Sequence, residues 1–353
     1  MHKTAFMLGM NLDRARSHDL DVIIHHQDDI STHPACAVLL PSVRYWKSLK
    51  VYGTTCNLGF LSHCRGFFDR LETADVRRHH NWGPEAIDIF AVAPRLRSFT
   101  KSMKAPFLLP ANVVKFIDDL PFDADTRATL HSLVNIENLS IWCSSYSSEL
   151  PRIRLPKLSQ LELTMDLRSL GAAFVTYNHF EFPFLTHLQM SLILSHTKVP
   201  PQVLQPISSS MVSSLILTWF HCLLQKYSAS DIELDLSSLC KLPNLQCLTV
   251  EDCPNINPVL DTLTIHPRRN VMFPKMSTLD IKCGRDFGLS KDLLDIHILI
   301  ELVQSRRDQG SLREFKMTWQ RGLVNDGADA RSRWQQLTAP GGGMQISASI
   351  KGL

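Results

Sequence analysis

No CxxC pair, no apolar run of bilayer length and no strong excess of one charge occur in this chain, and each absence removes a class of protein. The nine cysteines are odd in number and scattered, which fits reduced thiols in the cytoplasm or nucleus better than a disulfide framework. The longest apolar stretch, around Leu215 to Leu224, is broken by Thr218 and His221 and falls short of the ~20 residues that span a bilayer. At the start, AFMLGMNL runs straight into Asp13, Arg14 and Arg16 with no small-residue cleavage site, so no signal peptide is read. With 37 basic and 34 acidic residues the formal charge is +3, too little for a whole-chain field that gathers nucleic acid. Neither membrane nor nucleic acid is expected as a partner.

Motifs for chemistry are also missing. There is no phosphate loop, no G-x-G-x-x-G before a helix, no G-x-S-x-G elbow and no H-E-x-x-H pair, and APGGGM at 339–344 reads as a flexible turn. HHQDD at 25–29 and RRHH at 77–80 put adjacent histidines on opposite faces of any strand, a poor metal clamp. Cys240, Cys247 and Cys253 have spacings unlike a zinc knuckle, and VRRHH and HPRRN are too short for a nucleic-acid module. No catalytic residue, metal site or cofactor is expected, and the chain reads as a non-enzyme. A hydrolase on an α/β repeat-like scaffold is the less favoured alternative, since it needs a converging nucleophile and base.

What the sequence does have is a recurring spacing. In LPNLQCLTVEDCPNI, Leu245, Leu248, Val250, Cys253 and Ile256 follow L-x-x-L-x-L-x-x-C-x-x-I, the leucine-rich-repeat form with cysteine at its turn. The same core recurs in LSQLEL, LTHLQM, MSTLDI and LREFKM, and in weaker copies IENLSI, VSSLIL, LRSFTK, WKSLKV, LETADV and VVKFID. Their second apolar positions are 49, 74, 99, 116, 139, 161, 188, 215, 248, 279 and 315, with gaps from 17 to 36 residues. Alternation of this kind makes a short strand with one face buried, and only stacking of successive strands completes the core.

The expected fold class is therefore α/β: an irregular leucine-rich-repeat solenoid, a horseshoe with parallel strands on its concave face and helices or turns outside. Residues 1–45 read as an N-terminal cap region with a short helix, a strand through Val22 to Ile24 and a second short helix. Residues 46–320 form the solenoid. Residues 321–353 form a C-terminal cap or tail with a helical RSRWQQL and a last strand MQISASI. Two helices are predicted on the return path. PEAIDIFAVAP enters through Pro84 and stops at Pro94, and KDLLDIHILIELVQSRRDQG buries Ile296, Leu299, Ile300 and Val303 and ends near Gly310. Prolines 156, 183, 243 and 274 are expected where strands begin.

LDRARSHDLDVIIHH, HPACAVLLPSVRYWKSLKV, IFAVAPRLRSF, LPNLQCLTVEDC and LIELVQSRRDQGSLREFKM together resemble F-box leucine-rich-repeat-like proteins of mushroom-forming fungi, over most of the chain. The resemblance implies a substrate receptor of a cullin-RING ubiquitin ligase, docked on a Skp-family adaptor through an F-box. No F-box with its leading L-P-x-E-like start is found here, so the adaptor is expected only if a box lies upstream. The alternative is a stand-alone scaffold or decoy without a ligase connection.

On either reading a protein target binds the concave face. If Leu161 and Leu163 point inward, alternation exposes Gln160 and Glu162. The same rule exposes Ser140 and Trp142, His187 and Gln189, Thr249 and Glu251, Asp280 and Lys282, and Glu314 and Lys316. The face is polar and mixed in charge, and Trp142 is its aromatic anchor candidate.

Overall fold

The computed structural model describes residues 2–15, 17–25, 33–53, 58–78, 86–143, 153–166, 180–194, 198–199, 211–221, 233–234, 242–253, 255–266, 272–284, 293–320, 323–324, 327–339 and 344–350. Its strands are, in chain order, β1 Leu20–His25, β2 Trp46–Gly53, β3 Thr73–Arg78, β4 Ser98–Ser102, β5 Lys115–Pro121, β6 Asn138–Cys143 and β7 Ile153–Arg154. Next come β8 Gln160–Asp166, β9 Phe180–Glu181, β10 His187–Leu194, β11 Lys198–Val199, β12 Ser214–His221 and β13 Glu233–Leu234. The last are β14 Cys247–Glu251, β15 Thr278–Cys283, β16 Leu294–Asp295, β17 Glu314–Trp319, β18 Leu323–Val324 and β19 Gln345–Ile350. Thirteen of them form one open parallel sheet that follows the chain, and the six two-residue strands pair off separately. Parallel neighbours need a crossover between them, which is why strand and return alternate throughout. The chain divides into two compact units, 1–159 with 179–182, and 160–178 with 183–353.

In the first unit, Val22, Leu49, Ala74, Phe99, Phe116 and Leu139 stand side by side in register across β1 to β6. All six are buried. The residue three before the last five of these, Trp46, Leu71, Leu96, Val113 and Ile136, is buried too. Aromatic rings fill much of the space behind: Trp46, Phe68, Phe90 and Phe99 touch in sequence, and Phe107 and Phe116 both meet Phe99, with centroids 4.8 to 6.5 Å apart, in tilted and stacked geometries.

The second unit repeats the device with Leu161, Leu188, Leu215, Leu248, Leu279 and Phe315 buried in register from β8 to β17, and with a half-buried Ile346 beside them on β19. Its second row is Leu163, Met190, Leu217, Val250, Ile281, Met317 and Ala348. Leu158, Leu185, Val212, Leu245, Met276 and Leu312 are the buried residues that precede its strands. Burying a side chain of this size contributes about 1.5–3 kcal/mol relative to leaving it exposed. One strand alone has nothing to bury it against.

Strand approaches are stitched by a repeated hydrogen-bond pattern. The Glu72 carbonyl accepts from the N–H groups of Arg97 and Ser98, that of Arg97 from Val114 and Lys115, and that of Val114 from Glu137 and Asn138. In the second unit Ser213, Gln246 and Ser277 accept in the same paired way from 246–247, 277–278 and 313–314. Asparagine side chains add a staple: Asn112 donates to the carbonyls of Pro94 and Leu96, and Asn135 to that of Ala111.

Two expectations need correction. PEAIDIFAVAP is no helix over its described part: Ile87 bridges Phe107 in parallel, and 88–91 and 90–93 close as turns. Main-chain pairing of Ile87 takes the groups a helix would use, while Ile87, Phe90 and Ala93 stay buried as the pattern required. Strands do follow the prolines, but Pro156, Pro183, Pro243 and Pro274 lie in the turns that lead into β8, β10, β14 and β15 and not in the strands themselves. Hydrogen bonds from Leu96 to Ala93, Leu158 to Leu155, Leu245 to Leu242 and Met276 to Phe273 close four-residue turns. Proline occupies the second place in each, where its fixed φ is favoured.

The other helices agree more closely. The helix Ile296–Asp308 buries Ile296, Leu299, Ile300, Leu302 and Val303, is capped by Asp295, and is followed by Gly310 at φ +67°. That left-handed φ is the ordinary use of glycine just past a helix end. At the chain ends lie the helices His2–Ala15, Pro34–Leu39 and Ala328–Thr338. β19 is the expected last strand, parallel to β17.

Candidate functional site

The face of each strand opposite the buried rows carries the residues expected to bind. In the second unit Gln160 lies beside His187 and Glu162 beside Gln189. Thr249, Asp280 and Lys316 form one row, Glu251 and Lys282 stand opposite each other in the next, and Glu314 pairs with Thr278. None of these ten is buried. Ser140 and Trp142 belong to the first unit, on β6.

The charges of β14, β15 and β17 answer one another. Lys282 Nζ lies 3.2 Å from Glu251 Oε1 and 3.4 Å from Asp280 Oδ2, and Lys316 Nζ lies 2.7 Å from Glu314 Oε1. Thr218 Oγ1 donates to the other oxygen of Glu251 at 3.0 Å. Burial draws the Lys282 ammonium down, yet Glu251 and Asp280 together raise it above the ordinary lysine value. Lys316 is raised by its hydrogen bond to Glu314. Exposed pairs of this kind contribute ~0–1 kcal/mol each, so they pattern the surface more than they stabilise the fold.

Trp142 departs from the expectation of an exposed anchor. Its side chain is half-buried, and its indole N–H is buried with no hydrogen-bond partner among the described residues. The polar end of the ring is buried while the side chain as a whole stays half-exposed.

A second polar cluster, on the first unit, was missed by applying alternation mainly to the strongest repeats. Tyr52 donates to Asp75 at 3.0 Å, and Arg77 holds Asp75 at 2.9 Å and Asp119 at 3.1 Å. Burial, then the hydrogen bond to Asp75, raises the Tyr52 phenol, and Arg77 is raised chiefly by Asp75. The weaker copies WKSLKV and LETADV already carried this signal, for Lys50, Tyr52, Asp75 and Arg77 are their alternate positions.

The core of the first unit holds an ion pair in place of an apolar pair. Lys101 and Asp118 face each other in register on β4 and β5 in the row of Val51 and Val76. Nζ and Oδ2 are 3.0 Å apart, and both side chains are sealed from solvent. Thr126 Oγ1 and the Leu120 N–H also donate to Asp118, and Lys101 donates to the Ala105 carbonyl. Burial raises the Asp118 carboxyl, against the lowering effect of Lys101 and of these donors. The carboxylate, the ammonium, the Thr126 hydroxyl and the Leu120 N–H satisfy one another inside the core, as a buried charge requires.

Of the residues weighed for metal, His25 is on β1 and Cys253 is buried at its turn, with Sγ 3.4 Å from the Asn255 carbonyl. Positions 26–29, 79–80 and Cys240 lie outside the described residues. Among the described residues no group of three or more His, Cys, Asp or Glu side chains is arranged to hold a metal ion. Among them, too, no helix is long and apolar enough to cross a membrane. No family model matches the chain, and no curated protein matches it significantly.

Proposed function

We propose that the chain is a non-enzymatic protein-recognition module, a leucine-rich-repeat solenoid that takes a protein target on the strand face opposite its core. The observation that carries this reading is the run of Thr249, Glu251, Asp280, Lys282, Glu314 and Lys316 over three adjacent strands. Rigid parallel strands hold the six at fixed spacing, and charges of both signs with intervening hydroxyls match a polar protein surface better than a polyanion or a lipid.

By its resemblance to F-box leucine-rich-repeat-like proteins, the module is the substrate-receptor part of a cullin-RING ubiquitin ligase, working in the cytoplasm or nucleus. The second reading is a stand-alone scaffold or decoy without a ligase connection. Affinity purification of the tagged full chain separates them. Capture of a Skp-family adaptor with the target supports the receptor, and capture of the target alone supports the scaffold.

The face itself is tested by the triple variant Glu251→Lys, Lys282→Glu, Lys316→Glu, which preserves the opposed charges at 251 and 282. The captured target should fall about tenfold or more with the circular dichroism spectrum unchanged. Undiminished capture by the folded variant overturns the assignment of the face.

A further inference from the structure

We propose that β1 is a self-association edge, where a second copy of this chain pairs antiparallel to it about a two-fold axis through Ile23. Along one side β1 pairs with β2, and among the described residues no strand lies on its other side. Such an edge offers a row of unpaired N–H and C=O groups to any matching strand. The usual guards are lysine, proline or a bulge. β1 has neither residue, and its one irregularity lies between Leu20 and Asp21, which leaves Asp21–His25 regular.

The core is also unfinished here. Ile24 is half-buried, whereas its register partner Val51 is 1% exposed. On the opposite face Ile23 is 64% exposed. Beside the strand lies a largely apolar cleft of about 500 Å³, lined by Leu8, Leu12, Val22, Ile24, Cys36 and Leu39 among others.

The order of residues in β1 selects the occupant. In an antiparallel pair centred on Ile23, each copy's Asp21 stands opposite the other copy's His25, on the same face as the two Ile23 side chains. On the core-facing side Val22 meets Ile24 twice over. Directly opposed side chains have Cβ atoms about 4.5–5.5 Å apart, within reach of an acid–imidazole contact. Asp21 and His25 are both exposed, the His25 ring standing edge-on to Tyr52. The other edge strand, β19, fits less well. The residues alternating with its half-buried Ile346 and Ile350 are Gln345, Ser347 and Ser349, which present no charge to Asp21 or His25. A two-fold pair closes on itself, whereas β1 against β19 would propagate.

Sedimentation velocity on the full chain from about 1 to 100 μM tests the proposal, with Ile23→Lys, Asp21→Lys, His25→Glu and the double variant Asp21→Lys, His25→Glu. The wild type should dimerise, and Ile23→Lys should be monomeric with an unchanged circular dichroism spectrum. Each single charge change should weaken the dimer about tenfold or more, and the double variant should regain most of that loss. A wild type monomeric throughout, assembly that grows past the dimer, a folded Ile23→Lys that stays dimeric, or a double variant no tighter than the singles would overturn it.

Discussion

In the first unit Lys101 projects from the sheet into the core and is met by Asp118 on the next strand, 3.0 Å away. In the second, Arg306 on the helix Ile296–Asp308 is fully buried and meets no acid among the described residues. Its guanidinium donates to the main-chain carbonyls of Leu263, Met272 and Phe273 at 2.7 to 3.4 Å. Charge neutralisation serves where strand register already fixes the geometry. The guanidinium fork serves where two segments must be tied: it caps the C-terminal end of the helix Asn257–Leu263 and anchors the turn at Phe273, whose φ of +53° is unfavourable for a bulky residue. Burial lowers the Arg306 guanidinium to about 10. A third buried cation has neither solution, for both terminal nitrogens of Arg127 lack a partner among the described residues.

The sharpest break in this comparison is Lys101→Met, which leaves Asp118 buried without its cation. It should cost about 3–5 kcal/mol in urea unfolding, and adding Asp118→Leu should recover most of that loss. If the double variant is no better than the single, the pair is more than an exchangeable core contact.

Arg306→Met should cost about 2–3 kcal/mol, since several charge-assisted bonds disappear and their carbonyls stay buried. Arg306→Lys should restore only part of the loss, because one ammonium cannot span three carbonyls. Full rescue by lysine would show that charge, not the fork, matters at this position. Arg127→Met should move the other way and raise stability by about 1–2 kcal/mol, by removing buried donors that no described residue satisfies.

The smallest effect is a pH dependence. Because the folded carboxyl of Asp118 lies above its ordinary value of 3.8, the folded state holds the extra proton between 3.8 and that raised value. This contribution favours folding as pH falls through the window and levels off below it. The stability of the wild type relative to Asp118→Asn should therefore rise on acidification. A difference that falls would mean that Lys101 and the hydrogen-bond donors outweigh burial.

Alternation and spacing made the strands legible. Every second apolar position from Leu49 to Phe315 belongs to the buried row of its unit, despite gaps from 17 to 36 residues, because insertions in the returns leave the strand register untouched. The returns were less legible. Ile87 and Phe90 fit a helical spacing and are buried, yet main-chain bridging to Phe107 overrode it. Lys101 and Asp118 were hidden by the apolar template, although LRSFTK and VVKFID set opposite charges at matching places in consecutive copies. Arg306 stands beside Arg307 in the last turn of its helix, and its carbonyl partners leave no mark in side-chain pattern. At the candidate site, alternation placed the ten second-unit residues on the open face, and it missed the burial of the Trp142 N–H, which the pattern along one strand does not encode.

Site-specific photo-crosslinking tests the central claim most directly. A photoreactive side chain is placed at Thr249, Lys282 or Lys316 on the open face, or at Arg307 on the returning helix as control, in the full chain exposed to its native extract. Cross-links to one protein from the three face positions and none from Arg307 are the predicted result. The same protein captured from Arg307 and from none of the face positions would contradict it.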